Sequence, residues 1–193
     1  MCVFLRYFWK YFEIKKKSKI FKGNLIYDLQ KGLFQMILDI VKIPNYTEII
    51  NLEIISKKDG SGIVYEDLLG IWKFNSVWKK DSKEIDNISS SILQVLSAKL
   101  ELKKNNSLNN TSDLKIKNSI SFGMLSIIFS GQGSLRGTRP LLAFFFENFV
   151  INIGNFTLIN KSIEKPEEKK MPFFSLIALS KEKNWMCARG RGG

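Results

Sequence analysis

The feature that most constrains this chain is a run of short apolar strands that begins after Leu69. Ile71–Lys79 alternates in polarity and puts Trp72, Phe74 and Trp78 on one face. Lys115–Phe122 is the cleanest case: Ile116, Ile120 and Phe122 face one way, Lys115, Lys117, Ser119 and Ser121 the other. The same reading predicts strands at Ala98–Lys103, Met124–Ser130, Ala143–Ile151, Phe156–Asn160, Phe173–Leu179 and Asn184–Arg189, and a short helix at Ser89–Ser97. Lys104–Asp113 is polar and Asn-rich, as a hairpin loop requires. Short strands separated by Gly, Asn and charged turns predict an antiparallel meander that curls into a barrel or sandwich. The later strands are apolar on both faces, so one face would line a core or cavity while the other meets N-terminal helices.

Ahead of this domain the pattern is helical. Ile26, Leu29, Leu33, Met36, Ile37, Ile40 and Val41 recur at helical spacing and predict a helix over Leu25–Lys42, ended by Pro44. A second helix is expected over Thr47–Ile55, followed by a Gly-rich boundary at residues 57–62. In residues 1–22, a helix would gather Arg6, Lys10, Glu13 and Lys17 into one stripe beside an aromatic surface. Three readings stand there: an interfacial membrane helix, a helix packed on the domain, or translated upstream sequence. The expected organisation is a basic aromatic segment at 1–22, helices at 23–64 and a β-domain at 65–193. The fold class is α+β, mainly β, with N-terminal helices followed by an antiparallel barrel.

Composition narrows the chemistry. The chain contains no histidine, which removes Ser-His and Cys-His nucleophiles, histidine acid–base work and histidine metal ligands. Cys2 and Cys187, at opposite ends, make neither a metal pair nor a disulfide framework. No catalytic residue, metal or cofactor is therefore expected. The net charge of +12 favours an anionic membrane surface, nucleic acid or an acidic partner. No apolar run reaches the roughly 20 residues of a membrane-spanning helix, and no secretory cleavage pattern follows the opening segment.

Three features could carry binding. Gly131-Gln132-Gly133-Ser134-Leu135-Arg136-Gly137-Thr138-Arg139-Pro140 reads as a loop between strands. Its amides could cradle an anion with Arg136 and Arg139, joined by Arg189, or its glycines could simply permit positive φ. Glu147 stands among aromatics and would share a strand face with Phe145 and Phe149. Facing a cavity, it would be raised in pKa by desolvation and could bond a ligand; the alternative is an exposed edge or a salt bridge to Arg136 or Arg139. Trp72, Phe74, Trp78, Phe145, Phe174 and Trp185 could line an apolar pocket or be ordinary core.

The motif order also resembles a known family. Leu69-Gly70-Ile71-Trp72-Lys73-Phe74 comes first, then Gly133–Leu142 and an aromatic strand, then Ala188-Arg189-Gly190-Arg191-Gly192-Gly193. This order is similar to the plastid lipid-associated protein/fibrillin family of cyanobacteria and chloroplasts, over roughly residues 65–193. The resemblance implies a lipocalin-like barrel, without shared catalytic residues, that holds lipophilic molecules near photosynthetic membranes. It implies a cytoplasmic site or one on the cytoplasmic face of the thylakoid. The family's closing Arg/Gly segment is usually followed by another hydrophobic strand, so the expectation is either an open barrel, prone to self-association through its edge, or a product truncated at its C-terminus. Binding of a lipophilic or amphipathic small molecule or lipid is the first expectation. A nucleic-acid-binding β protein ranks lower, because the lysines are dispersed. A chromophore lyase of lipocalin-like fold ranks third.

Overall fold

The computed structural model describes residues 2–7, 44–79, 83–105, 114–138, 140–182 and 184–190. The helix expected at Leu25–Lys42 lies outside these residues, as do most of the segment 1–22, residues 106–113 of the loop expected at Lys104–Asp113, Arg139 and the last three residues.

The described chain is mainly β. Its elements are β1 (Cys2–Tyr7), α1 (Tyr46–Asp59), α2 (Tyr65–Leu68), β2 (Gly70–Trp78), α3 (Asn87–Val95), β3 (Lys99–Lys104), β4 (Leu114–Phe122), β5 (Leu125–Arg136), β6 (Leu141–Ile153), β7 (Phe156–Ser162), β8 (Phe173–Ser180) and β9 (Trp185–Gly190). Every paired neighbour is antiparallel. The order is β5-β4-β3-β2-β1-β9-β8-β6-β7, and β5 also pairs with β6. The sheet therefore curls until its pairings form a ring, with β7 extending the far end of β6 outside it.

Two expectations need correction. Residues 2–7 are a strand, not the start of a helix: Phe4 lies opposite Ser76 of β2 and Cys187 of β9. The free edges of β2 and β9 offer backbone partners that an isolated helix could not match, and Val, Phe and Tyr suit a strand. The edge of β9 that was expected to stay open is covered by this strand. In addition, 131–136 are not loop but the second half of β5, and 137, 138 and 140 are turn.

The interior of the curl is packed. Trp72, Leu100, Leu102, Leu114, Ile116, Leu142, Phe144, Leu176, Met186 and Ala188 form one buried cluster, joined by Ile63 and Leu68 from the segment entering β2. The Trp72 indole N–H donates to the Leu68 carbonyl at 2.8 Å, so the one polar atom of this large side chain is satisfied. A second cluster lies on the outer surface under α1, where Ile49 meets Trp78, Ile177, Trp185 and Cys187. The expected helix at Thr47–Ile55 is present as α1 and runs longer, because Asn45 and Glu48 form a capping box (3.0 and 2.7 Å) and Gly60 ends it at φ +85°. Burying Ile49 contributes roughly 1.5–3 kcal/mol to holding α1 in place.

Bulges decide which side chains enter which cluster. In β2 the pairing passes from Phe74 to Ser76, leaving Asn75 over, so Trp78 leaves the face of Trp72 and Phe74 and joins the outer cluster. Strict alternation had put all three on one face.

Candidate functional site

Beyond the packed interior, β4–β5–β6–β7 run on as a four-stranded extension with one apolar face. Three cross-strand rows build it. Asn118 pairs with Phe129, Phe129 with Phe149, and Phe149 with Lys161. Next come Ile120, Ile127, Ile151 and Ile159, then Phe122, Leu125, Ile153 and Phe156 at the tip. Paired residues share a face, so this apolar set lies on one side. The opposite side carries Ser119, Ser121, Ser126, Asn152, Thr157 and Asn160 around Ile128 and Val150.

An aromatic ladder joins this face to the core. Phe174 stacks on Phe144 at 5.2 Å, Phe144 meets Phe146 at 5.4 Å, Phe146 meets Phe129 at 5.3 Å, and Phe129 meets Phe149 at 4.8 Å. Exposure rises along the same path. Phe144 is 9% exposed, Phe146, Phe129 and Phe149 are half-buried, and Phe122 and Phe156 reach 60% and 77%. The lining of the interior thus continues onto an open surface through Phe146, Phe129 and Phe149, with Asn118 and Lys161 at the two sides of the first row.

A bulge makes this continuity. Gly131 pairs with Phe146 but Ser130 with Asn148, so Glu147 is the extra residue. Without it, Asn148, Val150 and Asn152 would follow Phe144 and Phe146 on the inner face, and Phe149, Ile151 and Ile153 would turn outward. Gly131 and Gly133 have no positive φ, so neither an anion cradle nor a turn explains them. They leave space: a Cβ on Gly131 would lie 2.7 Å from the Phe146 Cα.

The expected site residues fall into separate places. Trp72, Phe74 and Phe174 belong to the interior cluster, whereas Trp78 and Trp185 sit under α1. Phe145 is on the outer face, with the Lys165 ammonium 4.7 Å from its ring centre. Glu147 shares that face with Phe145 but not with Phe149, and accepts from the Gln132 amide at 2.7 Å rather than from either arginine. It borders an outer groove of about 460 Å³ with Glu101, Lys103, Lys115, Lys117 and Gln132. Arg136 pairs with Glu168 at 2.9 Å and Arg189 with Glu53, and two strands separate them, so they do not converge on one anion. Arg139 lies outside the described residues.

Among the described residues no group of three His, Cys, Asp or Glu side chains could hold a metal, and no helix is long and apolar enough to cross a membrane. Sequence reasoning missed Phe129, Phe146 and Ile151 as surface-forming residues. The signal was present in Asn148-Phe149-Val150-Ile151-Asn152-Ile153, whose alternation is out of phase with Leu142-Ala143-Phe144, and in a glycine inside a strand. Compared with known proteins, the chain matches no family model, no curated protein and no solved structure.

Proposed function

We propose that this protein is a non-enzymatic binder of lipophilic or amphipathic molecules, which it holds on the open apolar face of β4–β7. The observation that carries this reading is the aromatic ladder from Phe174 and Phe144 to Phe129 and Phe149. Its inner end is dry and packed, and its outer end leaves Phe and Ile side chains in water. Covering such side chains with an apolar molecule gains roughly 25 cal/mol per Å² removed from water. The interior itself is filled by side chains, so the ligand lies on a face rather than in a sealed pocket. The motif order described above implies the same ligand class and a place at photosynthetic membranes, reached as a peripheral protein.

Titration with a lipophilic fluorophore such as cis-parinaric acid tests the reading. Saturable binding is expected, weakened tenfold or more by Phe129→Asp or Phe149→Asp in protein that stays folded. A folded protein that takes up no such probe would sink the proposal.

A further inference from the structure

We infer that the tip of the β4–β5 and β6–β7 hairpins, together with the exposed side of α3, is a membrane-docking edge that enters the surface of an anionic lipid bilayer. The inference extends the lipid-binding reading above, because the edge adjoins the face assigned to the ligand.

The first observation is the distribution of charge. A quarter of the chain is Asp, Glu, Lys or Arg. Yet residues 87–98, 118–130 and 148–160 contain none of these. The fold brings the three segments together. The Ser121 N–H donates to the Leu96 carbonyl at 2.7 Å, which ties the end of α3 to the end of β4. The Gly154 N–H donates to the Met124 carbonyl at 2.8 Å, which makes the two hairpin turns one tip.

The second observation is what this edge exposes. Phe122, Met124, Phe156 and Leu158 are 60%, 71%, 77% and 59% exposed, and Ile88, Ile92 and Val95 of α3 are 75%, 51% and 62% exposed. Spacings of four and three put the last three on one side of that helix. Scattered exposed apolar side chains are ordinary, but a contiguous charge-free set marks an interaction site.

Lysines then stand at the base of the edge. Lys99, Lys117 and Lys161 flank the three charge-free segments in sequence, and lie opposite Ser119, Ser130 and Phe149. These positions fall within about 7 Å along the strands, and the tip row lies roughly 14 Å beyond Phe129 at about 3.4 Å per residue. An interfacial element sinks its apolar part about 5–10 Å into the headgroup boundary while flanking lysines meet anionic headgroups. The geometry matches both requirements. With a chain charge of +12, an anionic surface is the complementary one.

A second copy of the chain fits less well. Four strands about 4.8 Å apart and five residues of about 3.4 Å cover only some 300 Å². A stable pair needs about 800 Å² per partner.

The test is co-sedimentation of the full chain with vesicles of phosphatidylcholine alone or with 30% phosphatidylglycerol, about, by mole fraction. Binding to the mixed vesicles is expected, with at least tenfold less to neutral ones. Met124→Asp at the tip with Ile88→Asp on α3, neither in the three rows of the ligand face, should abolish it while cis-parinaric acid affinity in solution stays within twofold. Lys117→Glu with Lys161→Glu should erase the preference for the anionic vesicles. Wild-type protein that ignores the mixed vesicles, or a tip variant that sediments as wild type does, overturns the inference. So does a concentration-dependent dimer that the tip variant dissolves, since the edge would then belong to a second copy. Tip-dependent vesicle binding without any probe binding would keep the docking edge and remove the ligand site.

Discussion

Gly131 and Phe145 approach so closely that a Cβ on Gly131 would lie 2.0 Å from the Phe145 carbonyl oxygen. The backbone of β6 bulges here into space that only a glycine on β5 leaves open. The contact is with backbone, which cannot swing aside. Gly131→Ala should therefore lose about 3 kcal/mol or more, or fail to fold, since overpacking and backbone displacement add. Gly133→Ala meets its nearest neighbour at 3.2 Å and should cost less. Thermal melts of the two variants check the order. Equal melting temperatures would mean that the bulge does not depend on the glycine.

The strand Cys2–Tyr7 closes the ring between β2 and β9. Its removal would expose two strand edges at once, each with a row of unpaired amides and carbonyls. Protein lacking residues 2–7 should aggregate or self-associate and melt well below the full chain. Light scattering and calorimetry read this directly. A truncated protein that remains monomeric with an unchanged melting temperature would show the strand to be dispensable.

The carboxyl of Glu53 links α1 to β9 through Arg189, and Lys57 reaches it at 3.0 Å. Burial alone would raise its pKa, but the hydrogen bonds from Arg189 and Lys57 outweigh that and hold it below the usual 4.5. A carboxyl depressed in the folded state contributes stability that is present above its unfolded pKa and is lost as pH falls through its folded one. Stability should thus decline on acidification below about pH 4.5. Glu53→Gln should flatten that part of the profile and lower stability near neutrality. Denaturant titrations at several pH values decide it; identical slopes in both proteins would exclude this carboxyl as a source.

Glu147 lies on the face opposite the apolar rows and holds Gln132 at 2.7 Å. Glu147→Gln keeps a hydrogen-bonding group there and should shift stability by no more than about 1 kcal/mol. Affinity for a lipophilic probe should not change. A large loss of affinity would move the ligand to the outer groove and away from Phe129.

Much of the β architecture was legible because side-chain alternation is a local property. Lys115–Phe122 is a strand in any context that buries one of its faces, and β4 spans Leu114–Phe122. The helix expected at Thr47–Ile55 was legible in Ile49, Ile50, Leu52 and Ile54, and Asn45 and Glu48 supply the start of α1. The candidate site was legible only in its residue types. Trp72, Phe74 and Phe174 were named together and do share the interior. Trp78 and Trp185 were grouped with them by type and alternation, and the bulge at Asn75 and the packing of α1 put both on the other surface.

What the sequence determined by itself was the run of strands after Leu69, the absence of histidine chemistry and the stretches without charge. These depend on residue identity and on neighbours a few positions away. Tertiary structure fixed the phase of β2, β7 and β8 through one extra residue at Asn75, Leu158 and Ile177, and at Glu147 it realised a shift that the alternation of β6 already carries. It also decided that three uncharged segments far apart in sequence meet at one edge, and that the edge of β9 is filled by residues from the opposite end of the chain. Distant segments meet only through the pairing of the sheet, and a strand pairs with whatever edge is unpaired, so neither of these two outcomes is encoded in a local window.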